Sequence, residues 1–207
     1  MQHIICNDDY GDHKIAELFF KINDELNQLL QVDARDNLGR TPLQWAVASF
    51  LPDVVDVLLN RGADLSSFVF PSESHFDEGV GSRYYISDPN YKLILVPSAL
   101  AVVECLEKRV YEMKRSDALT LMAVFDKHGF FVKLADCDEY WYDDEEFVRM
   151  SKEIMIIPSL SLYDLIQLQL VEDEKLLTFM DYFEFACSYN FWILPPRPRK
   201  ACFMHLC

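Results

Sequence analysis

Apolar positions recur at helical spacing in separated stretches of the chain. Ile15, Leu18, Phe19, Ile22, Leu26, Leu29 and Leu30 hold that spacing over four turns, with Asp12 as N-cap, and predict a helix that buries this stripe on the helices next in the chain. Leu43, Ala46 and Val47, at i, i+3 and i+4, predict a short helix over Pro42–Ser49, opened by Thr41 as N-cap and Pro42 at the first helical position. Pro52 opens the next, Pro52–Asn60, whose stripe is Val54, Val55, Leu58 and Leu59 and whose stop is Gly62. From Ser66 to Pro97 neither period survives beyond the runs FVF, RYYI and KLILV. Pro71, Gly79, Gly81, Pro89 and Pro97 are spread through that stretch, which therefore predicts an irregular insertion with local strand. Helical spacing resumes at Ser98 through Ala99, Val102, Val103, Leu106, Val110 and Met113. Ser116 then caps a helix with Ala118, Leu121, Met122 and Phe125 inward and Gly129 as its stop.

Beyond Gly129 the pattern stays helical but less regular. The acidic run Asp136–Glu146 surrounds Tyr140, Trp141 and Tyr142, and Asp143 with Glu146 reads as a capping box for a helix through Phe147, Met150 and Ile154. Ser161 and Asp164 form a second such start ahead of Leu165 and Ile166. Glu174–Tyr189 is aromatic-rich and predicts one or two helices, ILPPRPRK a stiff bend, and Ala201–Cys207 a last helical fragment.

Asp36–Leu65, DNLGRTPLQWAVASFLPDVVDVLLNRGADL, resembles one ankyrin repeat. Its TPLxxA signature, VVxxLL stripe and GAD end fall at the spacings of the ~33-residue unit, with Asp36 and Gly39 suited to the tight turn before the first helix. A single repeat cannot bury its own faces, so neighbours are required. Gly62 and Gly129 lie 67 residues apart, close to two periods, which marks 98–135 as a second ankyrin-like helix pair. The resemblance implies a binding scaffold without chemistry of its own. It implies contact through the finger tip and the inner face of the first helix, here Asn37, Leu38, Arg40, Trp45, Ala48 and Ser49, with Arg40 and Trp45 the residue types that most often dominate binding. Gln44 stands where ankyrins usually carry His, and its amide can still tie neighbouring loops together.

The ankyrin repeat followed by SLYDL, Ser161–Leu165, also resembles the insect and poxvirus ankyrin proteins that carry a PRANC domain. That resemblance implies an adaptor whose repeats choose a target for a ubiquitin ligase. No LPxEI-type F-box-like start follows Pro198, so the C-terminal box is expected to be truncated. The expected fold is an all-α, short ankyrin-type helical solenoid with an irregular insertion and a helical C-terminal extension. Its parts are a flexible 1–12, a degenerate helical repeat plus ankyrin repeat over 13–65, an insertion loop over 66–97, the helix pair over 98–135 and a PRANC-like extension over 136–207.

Composition narrows the partners. With 19 Lys and Arg against 34 Asp and Glu, the formal charge of −15 repels nucleic acid and anionic lipid. No apolar run spans a membrane and no basic leader precedes one, so a monomer in the cytoplasm or nucleus is expected, bound to another protein. Six cysteines without a CxxC pair suit reduced thiols. The five histidines form no i, i+4 pair, and only His3, near Cys6, Asp8 and Asp9, has company that suggests zinc. GVGS at Gly79–Ser82 lacks the lysine of a phosphate loop. No catalytic residue, metal or cofactor is therefore expected. The alternative is a hydrolase using the 136–146 carboxylates, against which stands their local order: neighbouring side chains at a helix start point in different directions.

Overall fold

The computed structural model of the chain describes residues 13–28, 30–81, 89–129, 145–167, 176–195 and 199. Helix α1, His13–Glu25, is shorter than its apolar stripe predicts. Asn27 turns left-handed at φ +51°, and the N–H groups of Asn27 and Gln28 close on the carbonyls of Asp24 and Asn23. Its buried face is Ala16, Phe20 and Asn23, whereas Ile15, Leu18, Ile22 and Leu26 stay exposed. The expected burial of that stripe is thus corrected. Arg61 fixes the roll of the helix by lying 4.9 Å over the Phe20 ring while pairing with Asp24 at 2.6 Å.

The ankyrin-like stretch folds as its punctuation dictates. Helix α2 spans Pro42–Ala48, opened by a reciprocal box in which Gln44 N–H donates to Thr41 Oγ1 and Thr41 N–H to Gln44 Oε1. Helix α3 spans Pro52–Asn60 and closes through Gly62 at φ +86°. Phe50 makes the same left-handed turn after α2, at φ +50°, because its N–H and that of Leu51 reach the carbonyls of Val47 and Ala46 while its ring is drawn into the core.

Residues 66–97 are not an irregular insertion. Helix α4, Glu73–Gly81, and helix α5, Pro89–Glu107, occupy most of it. Gly79 is a packing residue rather than a breaker: a Cβ there would stand 2.4 Å from the Ala48 carbonyl oxygen, so only glycine lets α4 lie this close to α2. Helix α5 runs through Pro97, so the helix start expected at Ser98 is also corrected. Ile94, Leu95, Val96, Ala99, Ala101 and Val102 are all buried, a helix apolar on every side because it is packed on both, and that burial overrides the cost of the proline.

Helix α6, Arg115–His128, starts one residue before the expected cap. Lys114 is the N-cap, with its N–H donating to Asp117 Oδ2, and Gly129 closes the helix at φ +64°. Helices α2, α4 and α6 stack in one layer, while α1, α3 and α5 stack in a second. The pair expected from 98–135 is therefore two members of different layers: α5 follows α4 as its outer helix, and α6 begins the next inner position.

The remainder forms a separate small core. Helix α7 spans Glu145–Glu153 and ends before Ile154, correcting its predicted extent, because Met155–Ile157 (β1) pairs antiparallel with Leu160–Ser161 (β2) across the Pro158 turn. Ser161 and Asp164 bond reciprocally, as their spacing predicts, to open α8, Leu162–Gln167. Helices α9, Phe179–Cys187, and α10, Tyr189–Trp192, complete a cluster built on Phe147, Leu162, Leu165, Phe185, Phe191 and Leu194. Helix α9 lies along α5 as the next member of the outer layer, and Met180 N–H donates to Glu104 of α5 at 3.1 Å. The protein is mostly helical, as expected, with this hairpin the one sheet among the described residues. Within them, no helix is long and apolar enough to cross a membrane. Cys105 is a reduced thiol, and burial pushes its pKa up to about 12. The expectations for 1–12, Asp143, Pro196–Pro198 and Ala201–Cys207 lie outside the described residues.

Candidate protein-binding site

The first finger is organised by one carboxylate. Asp36 Oδ1 accepts the N–H groups of Leu38 and Arg40, each at 2.8 Å, and Asp36 N–H donates to the Arg40 carbonyl, closing a loop whose tip is Asn37–Gly39. Gly39 takes φ +76° at the turn, and Arg35 Nη1 donates to its carbonyl at 2.7 Å. Asp36 Oδ2 faces the helix, where it accepts Arg40 Nε at 3.0 Å and the Trp45 indole N–H at 3.1 Å. Burial pushes the Asp36 carboxyl up. The Arg40 backbone, the Trp45 indole, the Arg40 guanidinium and the Leu38 backbone outweigh it and hold Asp36 well below the usual carboxylate range.

A second finger, missed in the sequence, lies alongside. Gln44 Nε2 donates to the Val69 carbonyl at 2.9 Å, which is the loop-tying bond its position predicts, and Asp64 N–H donates to the Asp33 carboxylate. Asp64 also accepts from Ser66 and Ser67, and these hydroxyls, first among the causes, hold its carboxyl below the usual range. Phe68 and Phe70 point inward onto Tyr111, so Val69 between them points out. The alternation of FVF was the visible signal. What it lacked was the position of Gln44, which puts the Leu38 and Val69 tips at the same end of α2.

Of the residues implicated by resemblance, the structure leaves Asn37 exposed and Leu38 69% exposed. Ala48 and Ser49 are 0% and 1% exposed, so contact with a partner through them is corrected: α4 packs over both, with Gly79 against the Ala48 carbonyl. Arg40 and Trp45 are partly buried and bound to each other, with the guanidinium 4.2 Å above the indole ring. Arg40 also reaches Glu78 of α4 at 2.6 Å. Both side chains therefore shape the finger from behind. Val69, 67% exposed, joins Leu38 as an exposed aliphatic tip.

His75 stands beneath this assembly. Its ring meets Trp45 edge-on at 4.8 Å and is 6% exposed, and its Nε2 has no hydrogen-bond partner among the described residues. Burial and then the Arg40 charge hold its pKa down, against the weaker pull of Glu78 and Asp36. Among the described residues no group of three His, Cys, Asp or Glu side chains could hold a metal ion. Most of the acidic run weighed for hydrolysis lies outside them.

Comparison with known proteins places an ankyrin repeat at residues 38–67. No curated protein and no solved structure matches the chain. The repeat supports a role in protein–protein interaction, and ankyrin repeats are typically interaction modules rather than catalysts.

Proposed function

We propose that the chain is a protein-binding adaptor that meets its partner through the two finger tips, Asn37 and Leu38 on the first and Val69 on the second, with Arg40 and Trp45 holding the first in shape. The observation that carries this reading is the pair of exposed aliphatic side chains, Leu38 and Val69, at tips joined through Gln44. Exposed aliphatic groups on rigid backbone lose little entropy on docking. The experiment is a pull-down from cells with the intact chain beside Leu38→Ala/Val69→Ala, with an outer-face Asp56→Ala variant as reference. A protein retained by the intact and Asp56→Ala chains but lost from the tip variant supports the reading; retention by all three would defeat it.

The finer reading is a substrate-recognition adaptor linked to a ubiquitin ligase. Its support is the group of elements over 145–167 and 176–195 with its own core, packed along α5, together with the SLYDL resemblance. Ligase subunits recovered with the intact chain, and still recovered with the tip variant, are the expected outcome, because target and ligase would then use different surfaces.

A further inference from the structure

We propose that His75 is a proton-operated release for the first finger: once charged, it competes with Arg40 for Asp36 and Glu78 and loosens the loop that carries Leu38. The inference deepens the finger-tip reading by adding regulation of the same surface, and its consequence for binding rests on that reading.

The carboxylates of Asp36 and Glu78 have two cations to choose between once His75 is charged. In the one observed, Arg40 holds both carboxylates, Asp36 at 3.0 Å and Glu78 at 2.6 Å, and stacks on Trp45. Neutral His75 sits on the edge of the same indole, buried, its Nε2 without a partner among the described residues. A buried polar atom without a partner is costly, and a buried cation without one costs far more. The charged groups acting on the ring are Arg40 and Asp36 from the finger and Glu78 from its own helix, and Trp45 is its neighbour on α2. A proton on His75 therefore adds a second cation to the field of Arg40, with the same two carboxylates as the anions acting on it. The ring can keep that proton by drawing Asp36 or Glu78 toward itself. Asp36 is the residue that closes the finger, so any movement of it reaches Leu38 directly. Gln44, bonded to Thr41 and Val69, takes no part, and the second finger is left in place.

The test uses the free, full chain in solution, so that failure of the switch and failure of the finger-tip reading are told apart. The His75 ring signal and the Trp45 indole N–H signal are followed by NMR from about pH 8 to about pH 5, the range in which histidine can change charge. Trp45→Phe identifies the indole among the three tryptophans of the chain. His75 is expected to titrate below the ordinary value of about 6.5, and the Trp45 indole, bonded to Asp36, to move with the same midpoint. In His75→Gln the indole signal should stay flat, and in His128→Asn, whose histidine faces Asp77 on the far side of α4, it should move as in the native chain. The second variant and the native midpoints decide the matter if His75→Gln fails to fold. An indole that does not move as His75 titrates, moves with another midpoint, or still moves in His75→Gln overturns the proposal. Where the finger-tip reading holds, affinity for the recovered partner should fall tenfold or more (~10-fold for 1.4 kcal/mol) across the same midpoint in the native chain and not in His75→Gln.

Discussion

Gly79 and Ala48 touch through backbone: a Cβ on Gly79 would stand 2.4 Å from the Ala48 carbonyl oxygen. The inner layer depends on this contact, because it sets how closely α4 approaches α2 and so where Glu78 and His75 meet the finger. Gly79→Ala should destabilise the chain by about 1–3 kcal/mol, the usual cost of overpacking, despite alanine's better helix propensity. Urea unfolding checks it. An unchanged or raised midpoint would mean the helices can part at no cost.

The opposite sign is expected at Val110. This β-branched residue closes α5 at φ +67° while 88% exposed, with the Tyr111 N–H returning to the Leu106 carbonyl across it. Its left-handed backbone has no packing to compensate. Val110→Gly should stabilise by roughly 1 kcal/mol, the relief of strain exceeding the added freedom of the unfolded chain. A thermal midpoint that falls would show that the residue is not strained.

Leu58 is 1% exposed on α3, in the core shared with its neighbouring helices. Replacing it with Ala should cost ~2–5 kcal/mol through lost burial and the cavity left behind. Chemical unfolding giving less than ~1 kcal/mol would remove Leu58 from the core.

Leu38 and Arg40 should separate binding from folding. Leu38→Ala removes exposed atoms, so it should weaken partner binding by ~1 kcal/mol or more while leaving the melting temperature within a degree or two. Arg40→Ala strips the partner from Asp36 and Glu78 and should lower stability itself by about 1–3 kcal/mol. Calorimetric melting beside a binding titration distinguishes them. A large loss of stability for Leu38→Ala, or none for Arg40→Ala, would reverse the roles assigned to the two.

Asp36 predicts an acid limb. Its folded pKa is depressed, so the stability it contributes is present above the unfolded value of about 4 and is lost as pH falls below it. Asp36→Asn should therefore be the less stable chain near neutrality, and the gap between variant and native should narrow below about pH 4. Urea midpoints measured at several pH values test this, and a gap independent of pH would place the effect in shape rather than charge.

What the sequence determined by itself was local. Thr41, Pro42, Gln44 and Pro52 set the starts of α2 and α3, Gly62 and Gly129 set two ends, and Ser161 with Asp164 set α8, because caps and turns are satisfied by residues a few positions away. The repeat, read over Asp36–Leu65 and matched at 38–67, and the Gln44 bond between loops were legible for the same reason. Tertiary structure alone decided the rest. Helix α4 has only Phe76 and Val80 as apolar markers, and its glycine reads as a breaker until α2 is seen lying against it. Helix α5 crosses Pro97 because burial on both sides outweighs a lost backbone bond. Ile15, Leu18 and Ile22 form an apolar stripe that stays outside, since Ala16 and Phe20 fit α3. Ala48 and Ser49 passed from contact to core, and Val69 from loop to tip, by the same rule: exposure is fixed by what packs above a residue, and that neighbour comes from distant sequence.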